Sequence, residues 1–229
     1  MTSIGFRVLN DVQRPEKAVV KGFLDARPPT PNVADVMGRF GAVGNGIHSI
    51  NGDDVYLVGT AFTVRTHPSD NLMVHKALDL AEPGDVIVVE AGGDVTHAIL
   101  GDLMCSYAAR RGISGMVVDG AVRDGAAIRA MGYPVFARGR APRGPYKEGP
   151  GEINVPVSCG GVSVSPGDLI VGDGDGVVVV PGRSAAEVLA EAIALQRQEE
   201  TIAEKIAAGE WERDWVDATL LDKGCRLGG

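Results

Sequence analysis

Residues 115–125 read GMVVDGAVRDG, an apolar strand that runs into an adjacent Arg123–Asp124 pair. At the carboxyl end of a strand in a parallel sheet, such a pair lies in the crevice where open α/β folds bind ligands. Asp124 also has an ordinary use there, as the N-cap of the following helical stretch GAAIRAMG. A cap, however, needs no guanidinium beside it. Arg123 can grip a carboxylate or phosphate through two parallel hydrogen bonds. The pair therefore points to a fixed cation and a fixed carboxylate that serve an anionic ligand.

Gly101–Asp102 is the second candidate. Asp102 precedes the helical stretch LMCSYAARRG and can cap it. The amides of Leu103 and Met104 then face outward at a helix N-terminus, where anions are favoured. This turn and the VVDGAVRD turn belong to neighbouring strand–helix units, which lets both face one crevice. Glu199 is the third candidate. The last long helix carries an apolar stripe through Val188, Ala192, Leu195, Ile202 and Ile206, and Glu199 occupies the position that completes it. A carboxylate in such a stripe costs free energy unless it is paired or hydrated. We expect Glu199 to reach a site formed with a neighbouring chain; the plainer alternative is a surface carboxylate neutralised by a nearby cation.

Other features carry less. GDGDG (172–176) lacks the ligand spacing of a calcium loop and reads as a turn before VVVV. His48, His67, His75 and His97 show no metal-binding spacing. The basic loop ARGRAPRGPYKEG (137–149) suits a solvated loop and an anion-attracting one equally. No phosphate-binding loop, nucleophile elbow or zinc motif is visible.

These residues must be positioned by ordinary globular elements. Hydrophobic residues are 45% of the 229 and charged residues 23%, as in a typical soluble domain. A net charge of −8 argues against nucleic acid as a partner. No apolar run approaches the ~20 residues that span a bilayer, and the N-terminal stretch has no signal-like apolar core, so a cytoplasmic location is expected. Three scattered cysteines suggest neither disulfides nor zinc.

Strands alternating with helices over 85–139 predict βαβ units with parallel pairing. A strand over 54–67 is expected to break at Gly59, and helices are expected over 71–81 and 103–112. Residues 153–181 read as short strands and turns, which predicts an antiparallel or mixed sheet packed on the first. EPGDVIVVE (82–90) echoes SPGDLIVGD (165–173), best explained by a shared Pro-Gly-Asp turn. The last helix starts with a capping-box pattern at Ser184 and Glu187 and is closed by Gly209. The organisation expected is a domain over 1–183 and a helical extension over 184–229.

ILGDLMCSYAARRGISGMVVDGAVRD, together with PGDLIVGDGDGVVVVP, resembles the RraA-like superfamily. Within it the chain is most similar to the branch of 4-hydroxy-4-methyl-2-oxoglutarate and 4-carboxy-4-hydroxy-2-oxoadipate aldolases. The resemblance runs from about residue 20 to the C-terminal helix. RraA regulators, which inhibit a ribonuclease by binding it, resemble the same turn but lack the aspartate after the arginine and are shorter at the C-terminus. They define the alternative function, a non-catalytic regulator.

The aldolase resemblance implies an α/β fold of β, β and α layers with a long C-terminal helix. It implies that Asp124 binds Mg²⁺ or Mn²⁺ directly, while Asp102 and a Glu199 from the adjacent subunit hold waters on that ion. Arg123 and the amides of Leu103 and Met104, at the turn opened by Gly101, would hold the carboxylate of a pyruvyl group. The implied activity is class II aldol cleavage of a small 2-oxo acid to pyruvate, with oxaloacetate decarboxylation alongside. The implied assembly is a homotrimer or homohexamer with sites between subunits.

Overall fold

The apolar runs become strands whose two faces are both covered. The structure is a computed structural model that describes residues 5–44 and 46–227. It opens with β1 (Phe6–Val8), α1 (Lys17–Ala26), α2 (Thr30–Val36) and β2 (His48–Ser49). The central part follows: β3 (Leu57–Thr66), α3 (Leu72–Leu80), β4 (Asp85–Glu90), β5 (Ala98–Leu100), α4 (Asp102–Arg110), β6 (Gly115–Val122), α5 (Gly125–Met131) and β7 (Val135–Arg140). Then come β8 (Gly151–Ile153), β9 (Val157–Cys159), β10 (Val162–Val164), β11 (Leu169–Asp173) and β12 (Gly176–Val180). Helices α6 (Ala185–Ala208) and α7 (Asp214–Asp222) close the chain.

The expected βαβ units are present: β3, β4, β6 and β7 lie side by side and parallel. Alternation along these strands separates two cores. Ile87, Val89, Met116 and Val118 pack under α3, α4 and α5. Val86, Val88 and Val117 face the other way, onto Val157, Cys159 and Val164 of the small antiparallel β9–β10 sheet. Small sheet, large sheet and helices therefore form β, β and α layers.

Two expectations change. The later strands do not all form a second sheet, because β11 and β12 pair as a hairpin and β11 joins β3, extending the large sheet. Nor does Gly59 break β3. It is needed within the strand, since a Cβ there would collide with the Gly84 carbonyl oxygen and lie 2.8 Å from Val86 Cγ2. The GDGDG segment forms the β11–β12 turn, with Asp173 Oδ1 accepting the Asp175 amide at 3.0 Å. The two Pro-Gly-Asp turns are alike: Gly84 and Gly167 both hold φ 92°, and Asp85 and Asp168 each accept an amide from three residues earlier.

The chain divides into two compact units, 1–193 and 194–229. The boundary lies ten residues beyond the one expected, inside α6. Ala185, Val188 and Ala192 are buried in a third core of the first unit, among residues of α1, α2, β11 and β12. A 3₁₀ turn, Gly182–Ser184, leads into α6, so the helix starts just past Ser184, and no Ser184–Glu187 side-chain cap is formed among the described residues. Gly209, at φ 73°, closes it as expected. The second unit holds the rest of α6, with Glu199 exposed, and α7.

Candidate active site

β5 and β6 are parallel neighbours, with Leu100 opposite Val122. Their carboxyl ends therefore release Gly101–Asp102 and Arg123–Asp124 side by side, and the Arg123 amide donates to the Leu100 carbonyl at 3.0 Å. The two turns singled out in the sequence meet at one place.

Asp124 occupies the N-cap position of α5, yet its side chain makes no capping hydrogen bond. Its backbone is left-handed, φ 57° and ψ 32°, a conformation Asp adopts more readily than most residues. The carboxylate turns away from the helix toward Gly101 and Arg123, with Asp124 Oδ2 3.3 Å from Arg123 Nε. The capping explanation for this aspartate is thereby removed.

Glycine creates the room. A Cβ at Gly101 would collide with Asp124 Oδ2 and reach within 3.0 Å of Arg123 Cγ and Nε. On the other flank, a Cβ at Gly144 would lie 3.2 Å from an Arg123 terminal nitrogen. The guanidinium thus runs between two backbone segments that must lack side chains.

Across the turn, Gly101 rather than Asp102 is the N-cap of α4, and Asp102 is the first helical residue. Asp102 Oδ1 accepts the Leu103 amide at 2.8 Å. One of the two amides expected to meet a ligand is therefore already engaged. Leu103 itself is exposed, whereas Met104 leans on the core beneath α3 and α4. Cys105, one turn into α4, is buried. Burial, reinforced by the Asp102 and Asp124 carboxylates, pushes its thiol up to about 12. It stays protonated at neutral pH and is no nucleophile.

Arg123 faces two cavities. One, of 420 Å³, is lined by Asp124, Arg140 and the Ala141–Pro142 segment. The other, of 260 Å³, is lined by Gly101, Asp102 and Met104 together with Asn71, His75 and Lys147. Asn71, His75, Lys147 and Arg140 are absent from the candidates drawn from the sequence. Arg140, the last residue of β7, and Lys147 both belong to the basic stretch 137–149 that the sequence leaves undecided, and each lines one of these cavities. Glu199 lies in the other compact unit. Among the described residues no group of three or more His, Cys, Asp or Glu forms a metal cluster.

Fold and site together define a class. Residues 30–179 match the RraA-like family, described as Aldolase/RraA, and the chain belongs to that family. A Halalkalibacterium halodurans protein that bears a provisional 4-hydroxy-4-methyl-2-oxoglutarate aldolase name is 46% identical over 172 residues, covering 75% of this chain and 81% of the relative. An uncharacterised Pseudomonas syringae protein of known structure superposes with a TM-score of 0.78 at 32% identity, over 87% of this chain and 92% of that one. Streptomyces coelicolor RraAS2, described as an unusual member of the RNase ES inhibitor RraA family, gives 0.74 at 31% identity, over 83% and 98%. The family thus holds proteins named for aldol cleavage and proteins named for ribonuclease inhibition.

Proposed function

We propose that the chain is a divalent-metal-dependent pyruvate aldolase. Its substrates would be 4-hydroxy-4-methyl-2-oxoglutarate or 4-carboxy-4-hydroxy-2-oxoadipate, cleaved to pyruvate and a second 2-oxo acid, with oxaloacetate decarboxylated at the same place. The observation that carries this reading is the release of the Asp124 carboxylate from capping and its placement beside Arg123, across Gly101 from the start of α4.

The donor set fits Mg²⁺ or Mn²⁺. Mg²⁺ keeps several waters and takes one or two carboxylates rather than a full protein cage, which suits Asp124 as the direct ligand with Asp102 and the Glu199 of a second copy farther out. The bound cation supplies Lewis acidity toward a developing enolate.

The chain's own residues do the rest. Arg123 orients the 2-oxo acid by its carboxylate and offsets the charge that builds up during cleavage. The amides of Leu103 and Met104 add donors aligned with the dipole of α4. Cleavage removes the 4-hydroxyl proton, breaks C3–C4 and leaves its electron pair in an enolate, which takes a proton at C3 to become pyruvate. Loss of CO₂ from oxaloacetate leaves the same enolate, so both reactions share one site. We assign the proton traffic to Asp102 at the lip of the cavity and to a Glu199 contributed by a second copy of the chain in a trimer or hexamer. A Schiff-base route needs a desolvated lysine, and Lys147, the lysine at the cavity, is exposed.

Pyruvate release measured with Mg²⁺, and again with excess chelator, tests this reading; release that stops with chelator is expected, and release indifferent to it would contradict the metal route. The likeness to RraAS2 favours a second reading, a regulator acting by protein binding. That reading predicts tolerance of Asp124→Ala.

A further inference from the structure

The cavity beside Arg123 holds a second cation that the reaction above leaves unused. Lys147 lines it together with Asn71 and His75. The loop that carries Lys147 is pinned on both sides. Asp70, 2% exposed, accepts the amides of Glu148 at 2.6 Å and Gly149 at 3.0 Å, and also that of Leu72 at the start of α3. The Asn71 amide donates to the Tyr146 carbonyl at 3.0 Å, and the Tyr146 amide to the Ser69 carbonyl at 2.8 Å. The backbone at Lys147 is thus fixed, while its side chain is exposed and joins no ion pair among the described residues.

A pinned loop that presents an unpaired ammonium to a cavity differs from a solvated charged loop. His75 does not add a second positive charge: burial and the neighbouring Lys147 both lower its pKa, against a smaller upward pull from Asp79. Asp102, the carboxylate on the same cavity, is turned onto the Leu103 amide. The lining of this 260 Å³ cavity therefore includes two cations, Arg123 and Lys147. That volume is below the size of a drug-like pocket and suits a small acid with an anionic group at each end.

We infer that Lys147 is a specificity-determining residue: its ammonium pairs with a second carboxylate, borne on the half of the substrate that departs from C3. The inference rests on the lyase reading and assigns one of its residues a task.

Three substrates separate the outcomes. 4-Hydroxy-4-methyl-2-oxoglutarate has the second carboxylate; 4-hydroxy-2-oxopentanoate has none and releases acetaldehyde; oxaloacetate has its second carboxylate one carbon closer and loses it as CO₂. Lys147→Met is expected to lower kcat/KM for the first by about 10-fold or more, the worth of a charge-assisted hydrogen bond. The other two should stay within about 2-fold, since they make no such contact. Lys147→Arg should recover most of the loss. Because Lys147 is exposed, neither change disturbs the core. Equal losses on all three substrates, or no loss on the first, overturn the assignment and leave the lyase reading standing. A wild-type chain inactive on all three with Mg²⁺ and with Mn²⁺ overturns both.

Discussion

Asp124 holds a left-handed backbone, caps nothing and pairs with Arg123 at the surface, so we expect its carboxylate to contribute little to folding. Asp124→Asn keeps a residue suited to that conformation and removes only the charge, so unfolding free energy should move by less than about 0.5 kcal/mol. Pyruvate release should fall to background. A loss of about 1 kcal/mol or more by chemical denaturation would show that the carboxylate itself stabilises the fold. Gly101→Ala makes the complementary test. The atoms it meets belong to side chains, Asp124 Oδ2 and Arg123 Cγ and Nε, not to backbone. The fold should therefore survive with nearly unchanged Tm while both side chains are displaced, and displacement of about an ångström can cost on the order of 100-fold in rate. Full activity in Gly101→Ala would show that Arg123 and Asp124 need no fixed position.

Neighbouring parallel strands bring the two turns together, and those strands depend on close backbone approach elsewhere. At Gly59 the missing side chain admits the Gly84 carbonyl, which also accepts the Thr60 amide at 3.2 Å. Gly59→Ala must push β3 and β4 apart, and a loss of at least 1–3 kcal/mol of stability is expected by denaturant unfolding, as for overpacked cores. An unchanged midpoint would mean that β3 shifts freely. The strand–helix alternation and the meeting of Gly101–Asp102 with Arg123–Asp124 were legible because apolar runs and turn residues are local signals. Two things were not. The pairing of β11 with β3 joins residues more than 100 positions apart, and a run of short strands carries no mark of which sheet each will extend. Lys147 was hidden in a basic loop whose order depends on the buried Asp70 carboxylate, far back in the chain. A Gly inside a strand pattern was read as an interruption, although close backbone approach is the other meaning of such a glycine.

The whole molecule leaves much apolar surface in its second unit: Trp215 is 58% exposed and Leu221 58%, and Ile206 on the last turns of α6 is 52% exposed. Large exposed apolar side chains gathered in one segment are typical of interaction surfaces. We propose that this unit packs on a neighbouring copy and carries Glu199 there. Light scattering should show a trimer or hexamer, and Glu199→Gln in an intact oligomer should lower turnover; a fully active monomer would contradict a shared site. Pyruvate release from oxaloacetate and from 4-hydroxy-4-methyl-2-oxoglutarate should be compared for the wild-type chain and Asp124→Ala, each with Mg²⁺ and with chelator. Metal-dependent release from both substrates, abolished in Asp124→Ala, is the predicted result. Equal release by Asp124→Ala, or none from the wild type with Mg²⁺ or Mn²⁺, would contradict it.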